Sequence, residues 1–180
     1  ELSSTFSNQV LDATMAFKKH ITDEKMLAGL PDSAKAAAAQ LASQNDLAGW
    51  LFTLDIPSYL PIMSYADNRE LREEMYRAYA TKASEQGPNA GQWDNTDIIK
   101  ETLALRTELA ELLGFSSYAE RSLATKMADS TDQVVGFLRD LAAKSKPQAE
   151  QELEEVKRYA KDTHDVDVLA AWDLPYYSEK

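Results

Sequence analysis

The sequence predicts a mainly α-helical fold with one short extended segment near Trp50. Three observations lead there. Apolar residues recur every three or four positions along most of the 180 residues, capping residues precede several of those runs, and Gly or Pro interrupts them. From Leu2 to Ile21 the positions Phe6, Val10, Met15 or Thr14, Phe17 and Ile21 fall on one helical face. Thr22, Asp23 and Glu24 restart a short helix with a capping residue followed by first-turn acids. Gly29, Leu30 and Pro31 end it. The next segment, DSAKAAAAQLASQ, is a propensity-driven helix, because Ala loses no side-chain entropy on ordering, and Asn45 and Asp46 close it. In LAGWLFTLDIP, Trp50 to Leu54 favour extended backbone and Pro57 restricts the residue before it. This is the only strand the sequence supports, and with no partner strand in view it implies a small or partner-completed sheet.

Downstream, PSYLPIMSYAD reads as a short helix with Pro57 near its first turn and Pro61 as a kink or restart. Asp67 with Glu70 makes a capping-box-like start for the helix that follows, whose stripe runs Leu71, Met75, Ala78 or Tyr79 and Lys82. Glu73 and Arg77 form an i,i+4 pair in the favourable order. GPNAGQWDN is a loop, and Asp94 or Asn95 caps a helix that carries Ile98, Ile99, Leu103, Leu109, Leu112 and Leu113. Gly114 ends that helix as a left-handed residue. Ser117 with Glu120, and Ser130 with Gln133, repeat the capping pattern. From Thr131 onward Leu138, Leu141, Ser145, Ala149, Leu153, Val156 and Ala160 keep one phase across Pro147, which predicts one kinked helix or two nearly collinear ones. No solenoid period recurs. The chain is read as a single helical domain over residues 1–180, divisible into a helical arm (1–46) and a helical bundle (47–180).

Composition excludes several function classes. Thirty Asp and Glu against nineteen Lys and Arg give a net charge of -11, which repels phosphate backbones, so neither nucleic acid nor an anionic membrane is expected as a partner. The apolar runs around LAGWLF and LPIM are too short for a membrane span, and the N-terminal residues ELSSTFSNQV lack a basic start and apolar run, so a cytoplasmic location is expected. Zero Cys removes disulfides, thiolate metal sites and a cysteine nucleophile. The two histidines, His20 and His164, are far apart and exclude any local two-histidine zinc motif.

The remaining chemistry-bearing residues favour structural roles. His20 follows Lys18 and Lys19 at the expected end of the first helix, where a cation suits the dipole. His164 with Asp162, Asp165 and Asp167 could hold a cation, yet the ordered ligand run and terminal Glu of an EF-hand loop are absent, and a solvated helix end is the better reading. Glu152, Glu154 and Glu155 have no pocket or fixed partner that would make one a general acid or base. The Gly87–Gly91 loop lacks the Lys-Ser/Thr pair of a phosphate-binding loop, and reads as a connector. Trp50, Phe52, Tyr59 and Tyr65 read as core rather than a binding cleft. No catalytic, cofactor-binding or metal-binding residue is therefore assigned. Trp172, Leu174, Tyr176 and Tyr177 in AAWDLPYYSEK read as the start of another packed element of a longer chain, the alternative being a docked aromatic tail.

From Leu47 to Asn95, and again over LALRTELAELLGFSSYAERSLATKMADS and WDLPYYSEK, the sequence resembles the M3 family of zinc oligopeptidases. The resemblance covers nearly the whole chain and is weakest before residue 45, where Ala-rich helix is generic. It implies a parent enzyme that hydrolyses short peptides with zinc held by H-E-x-x-H and a further Glu. That motif is absent from these residues, so the resemblance transfers no ligand or catalytic role to any position here. It places the chain in the largely helical N-terminal half, as a wall of a substrate channel, with the C-terminal catalytic half and short peptides as partners. The isolated residues are then expected to bind no zinc and to be inactive. A dipeptidyl carboxypeptidase relative is the competing enzyme reading, and a non-catalytic helical peptide- or protein-interaction module is the alternative outside enzymes. Apolar surface left open by a missing partner half is expected at the Trp50 region or the aromatic tail.

Overall fold

Helix α1 (Leu2–Ala16) stops five residues short of the predicted end. Phe17 turns extended, with φ −79° and ψ 127°, and Lys19–Ile21 becomes strand β1. β1 is the missing partner of strand β2 (Trp50–Phe52): the two pair antiparallel, with Lys19 opposite Phe52, His20 opposite Leu51 and Ile21 opposite Trp50. Apolar residues every four positions fit a helix face equally well, so long-range pairing decided the outcome, as it often does for short strands. The computed structural model describes residues 1–180 and holds eight α-helices with this single two-stranded sheet. Mainly α architecture with an extended segment at Trp50 is thus observed. No helix is long and apolar enough to cross a membrane.

The chain groups into two compact units, one made of Glu1–Asn95 with Val156–Lys180 and the other of Thr96–Glu155. In the first, Asp23 accepts a hydrogen bond from the Lys25 N–H at 3.0 Å and caps a 3-10 helix over Glu24–Leu27. Gly29 follows with φ +84°, a conformation that suits glycine. Helix α2 (Asp32–Gln44) ends at Asn45 and lays Ala38 and Ala42 in the interior. Helix α3 (Ile56–Tyr65) starts with Pro57 in its first turn and runs through Pro61 without a break. Helix α4 (Arg69–Ala80) buries Leu71, Met75 and Ala78, the predicted stripe, and Arg72 as well. Its cap is Asn68, whose side chain accepts the Leu71 N–H at 3.0 Å, and not Asp67 as the capping pattern suggested. Asp67 is engaged elsewhere: its Oδ1 accepts the Tyr176 hydroxyl at 2.7 Å.

The core of this unit joins Phe17, Ile21 and Leu27 to Phe52, Leu54, Ile62, Met63, Leu71 and Met75, all buried. Burying one such side chain contributes about 1.5–3 kcal/mol, so this cluster carries the unit's stability. A smaller cluster forms where helix α8 (Leu174–Glu179) places Tyr176 and Tyr177 against Ala160, with Val156, Val166 and Leu169 packed around them.

In the second unit helix α5 (Thr96–Leu112) terminates at Gly114, φ +79°. The Phe115 N–H bonds the Ala110 carbonyl at 2.9 Å and the Gly114 N–H bonds that of Glu111 at 3.0 Å, the two bonds of a Schellman motif. Helix α6 (Tyr118–Leu123) is capped by Ser117, which accepts the Glu120 N–H at 3.2 Å, while Glu120 accepts the Ser116 N–H at 3.1 Å. Helix α7 (Thr131–His164) is a single helix of 34 residues that contains Pro147 and extends into the first unit from Val156. Ser130 accepts the Gln133 N–H at 3.1 Å and Gln133 returns an acceptor to the Asp129 N–H at 2.7 Å, as the repeated capping pattern predicts.

Candidate functional site

The first turn of α4 sets Arg69 and Arg72 three residues apart, so both reach the segment leading into α8. Asp173 lies there with no solvent exposure. Its Oδ1 accepts Arg69 Nε at 3.0 Å and Arg72 Nη2 at 2.9 Å, and its Oδ2 accepts Arg69 Nη2 at 2.7 Å and the Ala170 N–H at 3.0 Å. Arg72 spends its other donors on the carbonyls of Ala66 at 2.6 Å, Asp67 at 3.3 Å and Trp172 at 3.3 Å. Its guanidinium also stacks 4.0 Å from the centre of the Tyr176 ring. Burial by itself would raise the Asp173 pKa, but hydrogen bonds from Arg69, the Ala170 amide and Arg72 outweigh it and hold the carboxyl below its usual range. With its lone pairs taken up by these donors and no access to solvent, this carboxylate positions segments and has no free face for a substrate proton or a metal.

A second polar-aromatic group lies towards the C-terminal end of α4. Tyr59 and Tyr79 stack with ring centres 4.2 Å apart, and Lys82 Nζ sits 3.7 Å over the Tyr79 ring. Burial, followed by the neighbouring Tyr79 and Tyr76, pushes the Tyr59 pKa up to about 12, and burial lowers that of Lys82. Between α2, β2 and the start of α3 an apolar cleft of about 210 Å³ opens, lined by Ala34, Ala38, Leu41, Leu51, Phe52 and Ser58. The cleft's one carboxylate, Asp55, accepts the Thr53 hydroxyl at 2.9 Å.

The residues singled out from sequence are distributed rather than assembled. His20 lies on β1, not at a helix end, and its Nε2 is 2.6 Å from the Ala48 carbonyl oxygen. His164 ends α7 among the rings of Tyr159, Tyr176 and Tyr177, whose centres are 5.9, 6.4 and 5.2 Å away. Beside it Asp165 takes φ +54° and Asp167 pairs with Lys161 at 3.2 Å. No group of three or more His, Asp or Glu side chains in the chain is arranged to hold a metal ion. Glu152 accepts from Gln148 at 3.0 Å and Glu155 from Gln151 at 3.1 Å along the exposed face of α7. In the Gly87–Gly91 loop the amides of Ala90, Gly91 and Gln92 bond carbonyls of Gly87, Ser84 and Asn89, so they close the loop on itself. Phe52 and Tyr59 are core, Trp50 and Tyr65 pack against it, and the Tyr65 hydroxyl donates to Glu179 at 2.9 Å. Sequence reasoning missed the Arg69–Arg72–Asp173 node. The available signal was Arg72 beside Leu71 and three residues before Met75, inside a stripe where a charge requires a partner.

The chain is a helical scaffold with a buried ionic node, and its histidines and carboxylates are dispersed over it. The model of peptidase family M3 matches residues 62–180, and the chain belongs to that family. It is 59% identical over all 180 residues to oligopeptidase A of Escherichia coli (strain K12), of which it covers 26%. Oligopeptidase A of Haemophilus influenzae is 60% identical over the same span and the same share of its length. The dipeptidyl carboxypeptidase of Escherichia coli (strain K12) is 27% identical over 180 residues, which are 99% of this chain and 26% of that protein. The chain thus spans about a quarter of the length of the curated relatives it matches.

Proposed function

We propose that these residues are part of a zinc-dependent metallo-oligopeptidase of the M3 family that cleaves short peptides, within which they form a helical wall of the substrate channel. The observation that carries this reading is the 59% identity to an oligopeptidase A across every residue of the chain. Zinc does not fit the donor set here, because His20 and His164 are not joined by two further ligands. In this reading the zinc ligands lie outside residues 1–180, and no chemical step is assigned to this chain. Its contribution is a helical scaffold, held together internally by the α4 stripe and the Arg72–Asp173 node, beside the catalytic half of the same polypeptide in a cytoplasmic enzyme.

The test uses the full-length parent, loaded with zinc or stripped by a chelator, and a short internally quenched peptide. Hydrolysis by the zinc form and none by the 180-residue chain are expected. A metal-bound parent that leaves short peptides intact overturns the reading, as does cleavage by the chain alone above its chelated control. Mass analysis of products separates internal cleavage from stepwise removal of C-terminal dipeptides, the chemistry of the dipeptidyl carboxypeptidase alternative.

A further inference from the structure

We propose that the bare apolar stripe of α7 between Val134 and Ala149 is the seat of an apolar helix supplied by the rest of the same polypeptide, outside Glu1–Lys180. The proposal rests on reading the chain as part of a longer M3 peptidase. Every residue from Val135 to Glu152 is exposed, including Phe137 at 65%, Leu138 at 54% and Leu141 at 51%. Val134, Leu138, Leu141, Ser145 and Ala149 recur at three- and four-residue spacing on one face. The charged flanks of the helix are satisfied by their own neighbours: Lys144 with Asp140 at 2.7 Å, Lys146 with Glu150 at 3.5 Å and Gln148 with Glu152 at 3.0 Å. What is left without a partner is the stripe, and a long helix in water owes most of its stability to such a face being packed.

The same phase continues into Val156 and Ala160, and there it is covered: Ala160 is fully buried under Tyr176 and Tyr177. In the Trp50 region and the aromatic tail, where open apolar surface was expected, Trp50, Phe52, Tyr176 and Tyr177 are packed in the first unit, whereas large apolar side chains of the second unit stand open on α5 and α7. Three features choose the occupant. The relatives run to about four times the length of this chain, so most of the family's polypeptide lies outside these residues. A segment on the same chain acts at a high effective concentration. Two copies of this region, at -11 each, repel. Ser145 and Ala149 are small enough for a helix to pack at the close end of the usual 8–10 Å axial separation.

The test compares Leu141→Cys, on the stripe, with Ala143→Cys, on the opposite face, each in the full-length parent. Maleimide modification is followed site by site with peptide mapping. Position 141 is expected to react at least ~10-fold more slowly than position 143. Equal rates overturn the proposal, and so does protection that disappears on dilution, which would make a second copy the occupant. Hydrogen exchange on the unsubstituted parent guards against a variant that misfolds. Slow exchange over residues 134–149 is expected, and the rapid exchange of a bare helix overturns the proposal. Peptide cleavage by the same unsubstituted sample is scored separately: cleavage without protection removes the seat and leaves the peptidase reading, and protection without cleavage does the reverse.

Discussion

Arg72 and Asp173 are 101 residues apart in sequence and meet at 2.9 Å with side-chain exposures of 1% and 0%. A charge so enclosed is tolerable only while paired. Asp173→Ala is expected to cost about 3–5 kcal/mol, because it strands the Arg72 guanidinium. The double change Arg72→Met with Asp173→Leu should cost less than Asp173→Ala alone. Glu73→Ala, which breaks the exposed Glu73–Arg77 pair at 2.8 Å and leaves Arg77 in place over Trp172, should cost under about 0.5 kcal/mol. Urea unfolding followed by tryptophan fluorescence measures all three, and equal losses at positions 73 and 173 would contradict the buried-node account.

The same node makes stability depend on acid. The Asp173 pKa is held below its ordinary value in the folded chain, so its contribution is complete above the unfolded aspartate value of about 3.9 and is lost as pH falls through the folded value. The stability gap between the parent sequence and Asp173→Asn should therefore stay constant from about pH 7 to about pH 5 and narrow as pH falls below about 4. Denaturant midpoints at a series of pH values read the gap directly, and a gap constant over the whole series would mean that another carboxylate governs the acid limb.

Local features of this fold were legible where local physics decides them. Gly114, Ser117 and Ser130 end or start helices by short-range hydrogen bonds, and each does so where the sequence pattern indicates. The stripe through Leu71, Met75 and Ala78 was equally plain from its period. What could not be read depends on distant partners. Lys19–Ile21 leaves the helix because Trp50–Phe52 pairs with it, and Asp67 yields the cap to Asn68 while its carboxylate takes the hydroxyl of Tyr176, 109 residues away. The Asp173 node belongs to the same category. Family membership was legible because long blocks of sequence carry it.

Two tyrosines should titrate late. Burial, then the hydrogen bond to Asp67, raises the Tyr176 pKa to about 12, and burial with the neighbouring tyrosines does the same for Tyr59. Each raised value favours the folded state below the unfolded tyrosine value of about 10, and that contribution disappears as pH climbs towards the folded one. Ultraviolet difference titration is expected to show Tyr59 and Tyr176 among the last of the eight tyrosines to ionise, and Tyr176→Phe should remove one late component. The same variant loses the bond to Asp67 and about 1–2 kcal/mol of stability. Unchanged late absorbance in Tyr176→Phe would refute the assignment.

Gly29 and Gly114 separate backbone strain from crowding. Both have positive φ, +84° and +79°. A Cβ built on Gly29 would run into the Tyr65 carbonyl oxygen and lie 2.6 Å from Asp67 Oδ1, whereas one on Gly114 meets nothing within 4 Å. Gly114→Ala should therefore cost only the left-handed conformation, about 1–2 kcal/mol. Gly29→Ala adds a collision with backbone at the junction where the Asp67 N–H bonds the Ala28 carbonyl at 2.8 Å, so it should cost more and also disturb the neighbouring Tyr176–Asp67 bond. Thermal unfolding of the two variants ranks them. If Gly29→Ala were no worse than Gly114→Ala, the close approach of the two segments would not be what holds Gly29 in place. A matched loss of the late tyrosine ionisation in Gly29→Ala alone would show that the collision is transmitted to Tyr176 through Asp67.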